Sequence, residues 1–338
     1  MNGPNAVLFG VSGAALTRDE RAFLRDADPL GFILFARNLG NADDIRHLTS
    51  DLRDTVGRGD APVLIDQEGG RVMRLRPPDW PTAPAAAEIG ALHTRNPDAG
   101  REAAETLGRM FGALLNGLGI DVDCAPLLDL GLPETTDAIG DRAYSADPET
   151  VSVLGGAMAH GLTREGCLPV IKHMPGHGRG TVDSHKELPH VEADLETLRT
   201  TDFAAFRPLN DLPLGMSAHV VYDAVDPHNP GTVSRAVIDD LIRRDIGFDG
   251  FLLTDDIAME ALSGTPGERA AAALAAGCDA ILHCSGVLAE MEDVAGNVSA
   301  LSQSSVGRWT RARAATQKSE GADFRELSVA LTAQLEGT

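Results

Sequence analysis

The chain has 338 residues, 43% of them hydrophobic, which is enough for one large domain or two small ones with a full core. With 29 Lys and Arg against 50 Asp and Glu, the net charge of −21 argues against a nucleic-acid binder, which presents a basic face. No apolar run approaches the roughly 18 residues of a spanning helix, and MNGPNAVLFGVSG has neither the basic start nor the long apolar run of a signal peptide, so neither is expected.

One pattern recurs along the chain: a short apolar, β-rich run, then a longer stretch with helical apolar spacing. The runs are 6–11 (AVLFGV), 31–35 (GFILF), 62–66 (PVLID), 121–128 (DVDCAPLL), 168–174 (LPVIKHM), 213–219 (PLGMSAH), 250–255 (GFLLTD) and 279–284 (DAILHC). The spacing predicts helices over 41–56, 98–118, 148–165, 194–209, 234–245 and 267–276. Asp43 and Asp44 open the first of these as the helix dipole favours, and Gly119, Gly166, Gly247 and Gly277 stand where helices should close. Eight strands alternating with helices predict a single (β/α)8 barrel, with an open doubly wound sheet as the alternative. Polar residues end many of the runs: Asp66 with Glu68, Asp129, Lys172 with His173, His219, and Asp255 with Asp256. A barrel gathers such ends on one face, which favours it over the open sheet. The domain is expected to span 1–338, with a helical tail from about 287, since 77–84 (PPDWPTAP) reads as a surface loop and no linker or repeat appears.

The richest stretch is LPVIKHMPGHGRGTVDSHKELPH, 168–190. An apolar strand ends in Lys172 and His173, and Pro175, Gly176, Gly178 and Gly180 then forbid a helix. Asp183 and His185, two apart, share a face on an extended segment, so the carboxylate orients the imidazole for proton transfer. The seventh run delivers Thr254, Asp255 and Asp256; Asp255 lies closest to the mouth and Asp256 is the better candidate for a helix cap. In LIDQEGGRVMRL, Asp66 precedes a tight Gly69-Gly70 turn and is followed by Arg71 and Arg74. An acid with arginines suits a polyhydroxylated ligand, and either arginine is equally placed to pair with Asp66 or Glu68. His173 and His177 have i, i+4 spacing, but Pro175 and Gly176 lie between them, and there is no HExxH or CxxC. No metal is expected. No nucleotide cofactor is expected either, because PGHGRG matches no phosphate-binding loop. The four cysteines, Cys124, Cys167, Cys278 and Cys284, sit in or beside apolar runs and are expected to be buried, reduced thiols of a cytoplasmic protein.

KHMPGHG…DSHKELP, with IDQEGGRV, IGDRAYSADP and TDDIAM, resembles glycoside hydrolase family 3, and within it the bacterial β-N-acetylhexosaminidases of peptidoglycan recycling. The resemblance covers roughly 6–284. It implies a single barrel, a retaining mechanism through a covalent glycosyl-enzyme and the removal of terminal N-acetylglucosamine from anhydromuropeptides in the cytoplasm. It further implies that Asp255 is the nucleophile and His185 the general acid/base with Asp183 as its partner. Asp66, Arg74, Arg142, Lys172 and His173 would hold the sugar, with His219 a further contributor. Two groups flanking the glycosidic bond are what retention needs, and a histidine can serve as the second, on a glycine-rich loop able to swing in after substrate. A neutral imidazole repels anions less than a carboxylate, so an N-acetylglucosaminide phosphorylase is an alternative on the same site. Met174 stands where the family pattern has Phe, and Ala258 where Ser is common; neither touches a proposed reacting group. The partner expected is a small sugar substrate, with no nucleic acid, no membrane and a monomeric chain. Competing readings are a β-glucosidase, a Schiff-base lyase using Lys172, and a silent sugar-binding barrel that would have no need of Asp255, Asp183 and His185 together.

Overall fold

The computed structural model describes residues 3–133, 135–180, 182 and 188–336. Eight strands follow one another around a closed ring: β1 (Asn5–Gly10), β2 (Pro29–Leu34), β3 (Val63–Ile65), β4 (Val122–Asp123), β5 (Leu168–Met174), β6 (Leu214–Ser217), β7 (Phe251–Asp256) and β8 (Ala280–His283). All pairings in the ring are parallel, and β1 closes it by setting Val7 opposite Ile281. The chain is a single (β/α)8 barrel and not the open sheet.

The two-residue period of a strand sorts its side chains into two cores. Leu8, Leu64, Val122, Val170, Met216, Leu253 and Leu282 fill the barrel interior. Val7, Phe9, Ile65, Ile171, Leu252 and Ile281 point the other way and pack beneath the surrounding helices, against Leu107 and Phe111 among others. Each such side chain removed from water contributes roughly 1.5–3 kcal/mol before entropy is counted. The same parity decides which polar groups reach the mouth. Asp66 continues the row of Leu64, Lys172 that of Val170, and Asp255 that of Leu253, so all three emerge inside the barrel. Asp256 and His219 belong to outward rows. The four cysteines are buried and unpaired.

The helices are α1 (Arg18–Ala27), α2 (Ala42–Thr55), α3 (Ala86–Arg95), α4 (Pro97–Asn116), α5 (Pro148–Arg164), α6 (Leu195–Thr200), α7 (Asp202–Phe206), a π-wound segment Val237–Ile246, α8 (Pro266–Ala276), α9 (Leu288–Asn297), α10 (Gln303–Ala314) and α11 (Phe324–Glu336). Asn41 caps α2 by accepting from the amides of Asp43 and Asp44 at 2.9 and 3.1 Å. Gly119, Gly166, Gly247 and Gly277 all take positive φ after their helices, as expected. The stretch 194–209 is not one helix. It breaks at Thr201 (φ −122°, ψ −85°), which turns the buried Asp202 inward to meet Arg179. Helices α1 and α3 escape the sequence pattern because α1 buries only Glu20 and Leu24 and α3 carries Gly90 in its interior. The last helices are tied to the barrel by Arg313 to Asp121 and by Glu320 to Arg164, both at 2.8 Å. Among the described residues no helix is long and apolar enough to cross a membrane.

Candidate active site

The ends of β3, β5 and β7 and the segment 138–142 enclose a polar cavity of about 320 Å³, at the lower end of the range for small-molecule sites. Asp66, Glu68, Arg71, Arg74, Arg142, Lys172, His173, His177, Met216 and Asp255 line it, with Val72, Ala138 and Ile139.

On one wall, charges alternate. Lys172, 2% exposed, donates to Asp66 at 3.0 Å and lies 2.6 Å from Glu68. Arg74 meets the other oxygen of Asp66 at 2.9 Å, and Arg142 grips Glu68 through two bonds of 2.8 Å. Burial works to raise the pKa of both acids, but the cations beside them win and hold Asp66 and Glu68 below the usual carboxylate range. The lysine answers in kind: burial works against its charge, yet Asp66 and Glu68 hold its pKa above the usual value. A Schiff-base lysine needs the opposite, an amine made neutral near pH 7. The geometry therefore disfavours the lyase. Of the two arginines, Arg74 pairs with Asp66. Arg71 instead reaches across to Asp141 at 2.7 Å and to the carbonyls of Ala138 and Ile139, fastening the 67–73 hairpin to the loop that carries Arg142.

On the opposite wall, Asp129 is wholly buried and organises the strand-to-loop crossing. It accepts from the His173 ring Nδ1 at 2.7 Å and from the backbone amides of His173 and His177 at 3.3 and 2.6 Å. That pairing fixes which face His173 shows: its Nε2 points toward Asp255 Oδ2, 3.9 Å away. Further bonds seat the segment after β5. Tyr222 donates its hydroxyl to the Gly176 carbonyl at 2.9 Å, and Arg179 Nε donates to Asp202 at 2.7 Å. Gly178 has no room for a side chain, because a Cβ there would overlap the Leu130 carbonyl oxygen. The buried His177 imidazole is pushed down to about 4 by desolvation, so it is neutral at physiological pH.

Asp255 ends β7 at the cavity floor. Burial works to raise its pKa, but His173, His219 and the Asp256 amide, which donates to Oδ1 at 2.8 Å, bring it to about 2. It is an ionised, half-buried carboxylate facing the cavity. Asp256 has turned away to accept from the amides of Ala258 and Cys284 at 3.0 and 3.1 Å. Desolvation pushes its pKa to about 6. A carboxyl raised in this way binds its proton more tightly folded than unfolded. It adds stability at acid pH that is lost as pH rises through about 6. Asn keeps the accepting oxygen without the charge. Asp256→Asn is therefore expected to gain stability relative to wild type as pH rises from about 4 to about 7.5, by on the order of 3 kcal/mol. Denaturant unfolding at both pH values checks this, and a difference that does not change with pH would refute it.

The structure thus brings Asp66, Arg74, Arg142, Lys172, His173 and Asp255 onto one cavity. His219 does not line it: the side chain is 0% exposed, with Nδ1 2.7 Å from Thr232 Oγ1 and Nε2 3.0 Å from the Asp256 carbonyl. Asp183 and His185 lie outside the described residues. Glu68 as the partner of Arg142 and Lys172, and Asp129 as the anchor of His173, were not assigned from sequence. Both had shown themselves only as polar residues at strand ends.

A barrel that closes a sugar-sized polar cavity over a half-buried, ionised carboxylate is built for a glycoside hydrolase. The model of the glycosyl hydrolase family 3 N-terminal domain matches residues 7–311. A β-hexosaminidase of Bordetella avium (strain 197N) is 39% identical over 287 residues, 83% of this chain and 81% of that one. A β-hexosaminidase of Chromobacterium violaceum is 39% identical over 289 residues, 84% and 80% of the two chains. The crystal structure of NagZ from Neisseria gonorrhoeae in complex with N-trifluoroacetyl-D-glucosamine superposes with a TM-score of 0.87 at 31% identity, covering 99% of both chains. The chain belongs to glycosyl hydrolase family 3, and it is a glycoside hydrolase.

Proposed function

We propose that the protein is a retaining exo-β-N-acetylglucosaminidase that removes terminal N-acetylglucosamine from peptidoglycan fragments through a covalent glycosyl-enzyme. The observation that carries the reading is Asp255, ionised at neutral pH and facing the cavity floor beside His173. In this reading Asp255 attacks the anomeric carbon. His185, oriented by Asp183, protonates the leaving oxygen and then activates water. Asp66, Arg74, Arg142, Lys172 and His173 hold the sugar's hydroxyls, since charge-assisted bonds from fixed groups give geometric selection. A cavity closed at its floor suits an enzyme that takes one sugar from a chain end. The β-hexosaminidase relatives and the neighbour solved with N-trifluoroacetyl-D-glucosamine support an acetamido sugar. The whole of 1–338 acts as one catalytic unit, monomeric and cytoplasmic.

The test is chromophore release from p-nitrophenyl N-acetyl-β-glucosaminide beside the plain β-glucoside, with and without phosphate. Release from the acetamido sugar alone is expected. Preference for the plain glucoside makes the protein a β-glucosidase, strong stimulation by phosphate makes it a phosphorylase, and release from neither sinks the proposal.

A further inference from the structure

Behind the cavity floor, outside the barrel, a polar thread runs through an otherwise apolar layer. Ser217 Oγ lies 2.7 Å from Thr232 Oγ1, Thr232 Oγ1 lies 2.7 Å from His219 Nδ1, and His219 Nε2 lies 3.0 Å from the Asp256 carbonyl oxygen. Ser217, His219 and Thr232 are each 0% exposed. No member of the thread lines the cavity.

The protons on this thread can be assigned. The Asp256 carbonyl only accepts, so His219 Nε2 must carry a proton. Burial lowers the His219 pKa, which favours the neutral ring. A neutral ring with Nε2–H leaves Nδ1 as a bare acceptor. Thr232 must then donate its single hydroxyl proton to Nδ1, in preference to its longer contact of 3.1 Å with the Ala218 carbonyl. Ser217 in turn donates to Thr232 Oγ1. The direction of every bond runs from Ser217 through Thr232 and His219 to the main chain of Asp256. That residue's own amide donates to Asp255 Oδ1 at 2.8 Å.

We infer that Thr232 is a positioning residue: its hydroxyl fixes His219 as the Nε2–H tautomer, and the ring then holds the Asp256 main chain that aims the Asp255 carboxylate at the cavity. The inference rests on the proposed role of Asp255 for its kinetic consequence, but not for the tautomer. A residue that aims the attacking group without touching sugar alters kcat and leaves sugar binding alone. Valine matches threonine in shape and lacks the hydroxyl, whereas serine keeps it.

The experiment compares wild type, Thr232→Val and Thr232→Ser. The first readout is the ring-nitrogen shifts of histidine-labelled protein near pH 7, with the His219 signal assigned by its loss in His219→Gln. The second is kcat and KM on p-nitrophenyl N-acetyl-β-glucosaminide. Expected are an Nε2–H tautomer in wild type, a fall in kcat of about tenfold or more in Thr232→Val with KM within about twofold, and near wild-type kcat in Thr232→Ser. Should Thr232→Val not fold, Thr232→Ala carries the same kinetic test. An Nδ1–H tautomer or a doubly protonated ring in wild type overturns the inference. So does a folded Thr232→Val with wild-type kcat, or one whose loss lies in KM. If wild type releases no chromophore, the proposed activity fails, while the tautomer still stands or falls by the nitrogen shifts.

Discussion

Asp255→Asn is expected to lower kcat on the acetamido glycoside by about 10,000-fold or more, because it removes the oxygen proposed to attack and leaves the cavity otherwise intact. The variant should stay folded. Asn can still accept from the Asp256 amide through its carbonyl oxygen, and among the described residues no ion pair shorter than the 3.9 Å approach of His173 is lost. The pKa of about 2 adds a second expectation. Wild-type kcat/KM falls in acid through some group other than Asp255, because its carboxylate stays ionised well below pH 4. Steady-state kinetics on folded variant protein checks the first claim. Activity within tenfold of wild type would remove Asp255 from the role.

Lys172→Met is expected to cost about 3–5 kcal/mol of stability at neutral pH, together with loss of sugar binding. The lysine neutralises Asp66 and Glu68 from a position that is 2% exposed, so its removal leaves the buried Glu68 and the mostly buried Asp66 to share Arg74 and Arg142. The pH dependence has a definite sign. Wild-type Asp66 and Glu68 have depressed pKa values, so their contribution is present above the ordinary carboxylate range and is lost as pH falls through the folded values. Without Lys172 those values rise, and protonation relieves the strain. The deficit of the variant should therefore shrink as pH falls below about 5. Paired denaturation curves across that range measure it. A deficit that grows in acid, or a variant as stable as wild type near pH 7, contradicts the account of the buried network.

How much of this was open to reading from the sequence depends on range. The barrel was legible because its strands are short apolar runs and its polar residues gather at their C-terminal ends. Asp255 was read as lying closest to the mouth and Asp256 as the better helix cap, and the fold places Asp255 on the cavity lining. The residues proposed to hold the sugar, Asp66, Arg74, Arg142, Lys172 and His173, were named from motifs, and the fold brings them onto one cavity. The partners that make them work were not legible, because the chain gives no signal for a pair such as Glu68 and Arg142, separated by 74 positions. The same holds for Asp129 with His173 and for Thr232 with His219. The resemblance made His219 a further contributor, but its bonds to Thr232 and to the Asp256 carbonyl hold it away from the cavity. The helix expected over 194–209 failed at Thr201, where the tertiary pull of Arg179 on Asp202 overrides local periodicity.

Asp129 has a consequence for how occupancy is communicated. One carboxylate bonds the imidazole that faces the cavity and, through His177, the main chain that leads toward 180. A sugar that narrows the motion of His173 narrows that of the departing chain by the same bonds. Any arrangement of the departing chain that stiffens Asp129 tightens the grip on the sugar in equal measure, since coupling between two sites is reciprocal. Because one buried carboxylate holds both, the position of the His173 ring and that of the His177 main chain are set together.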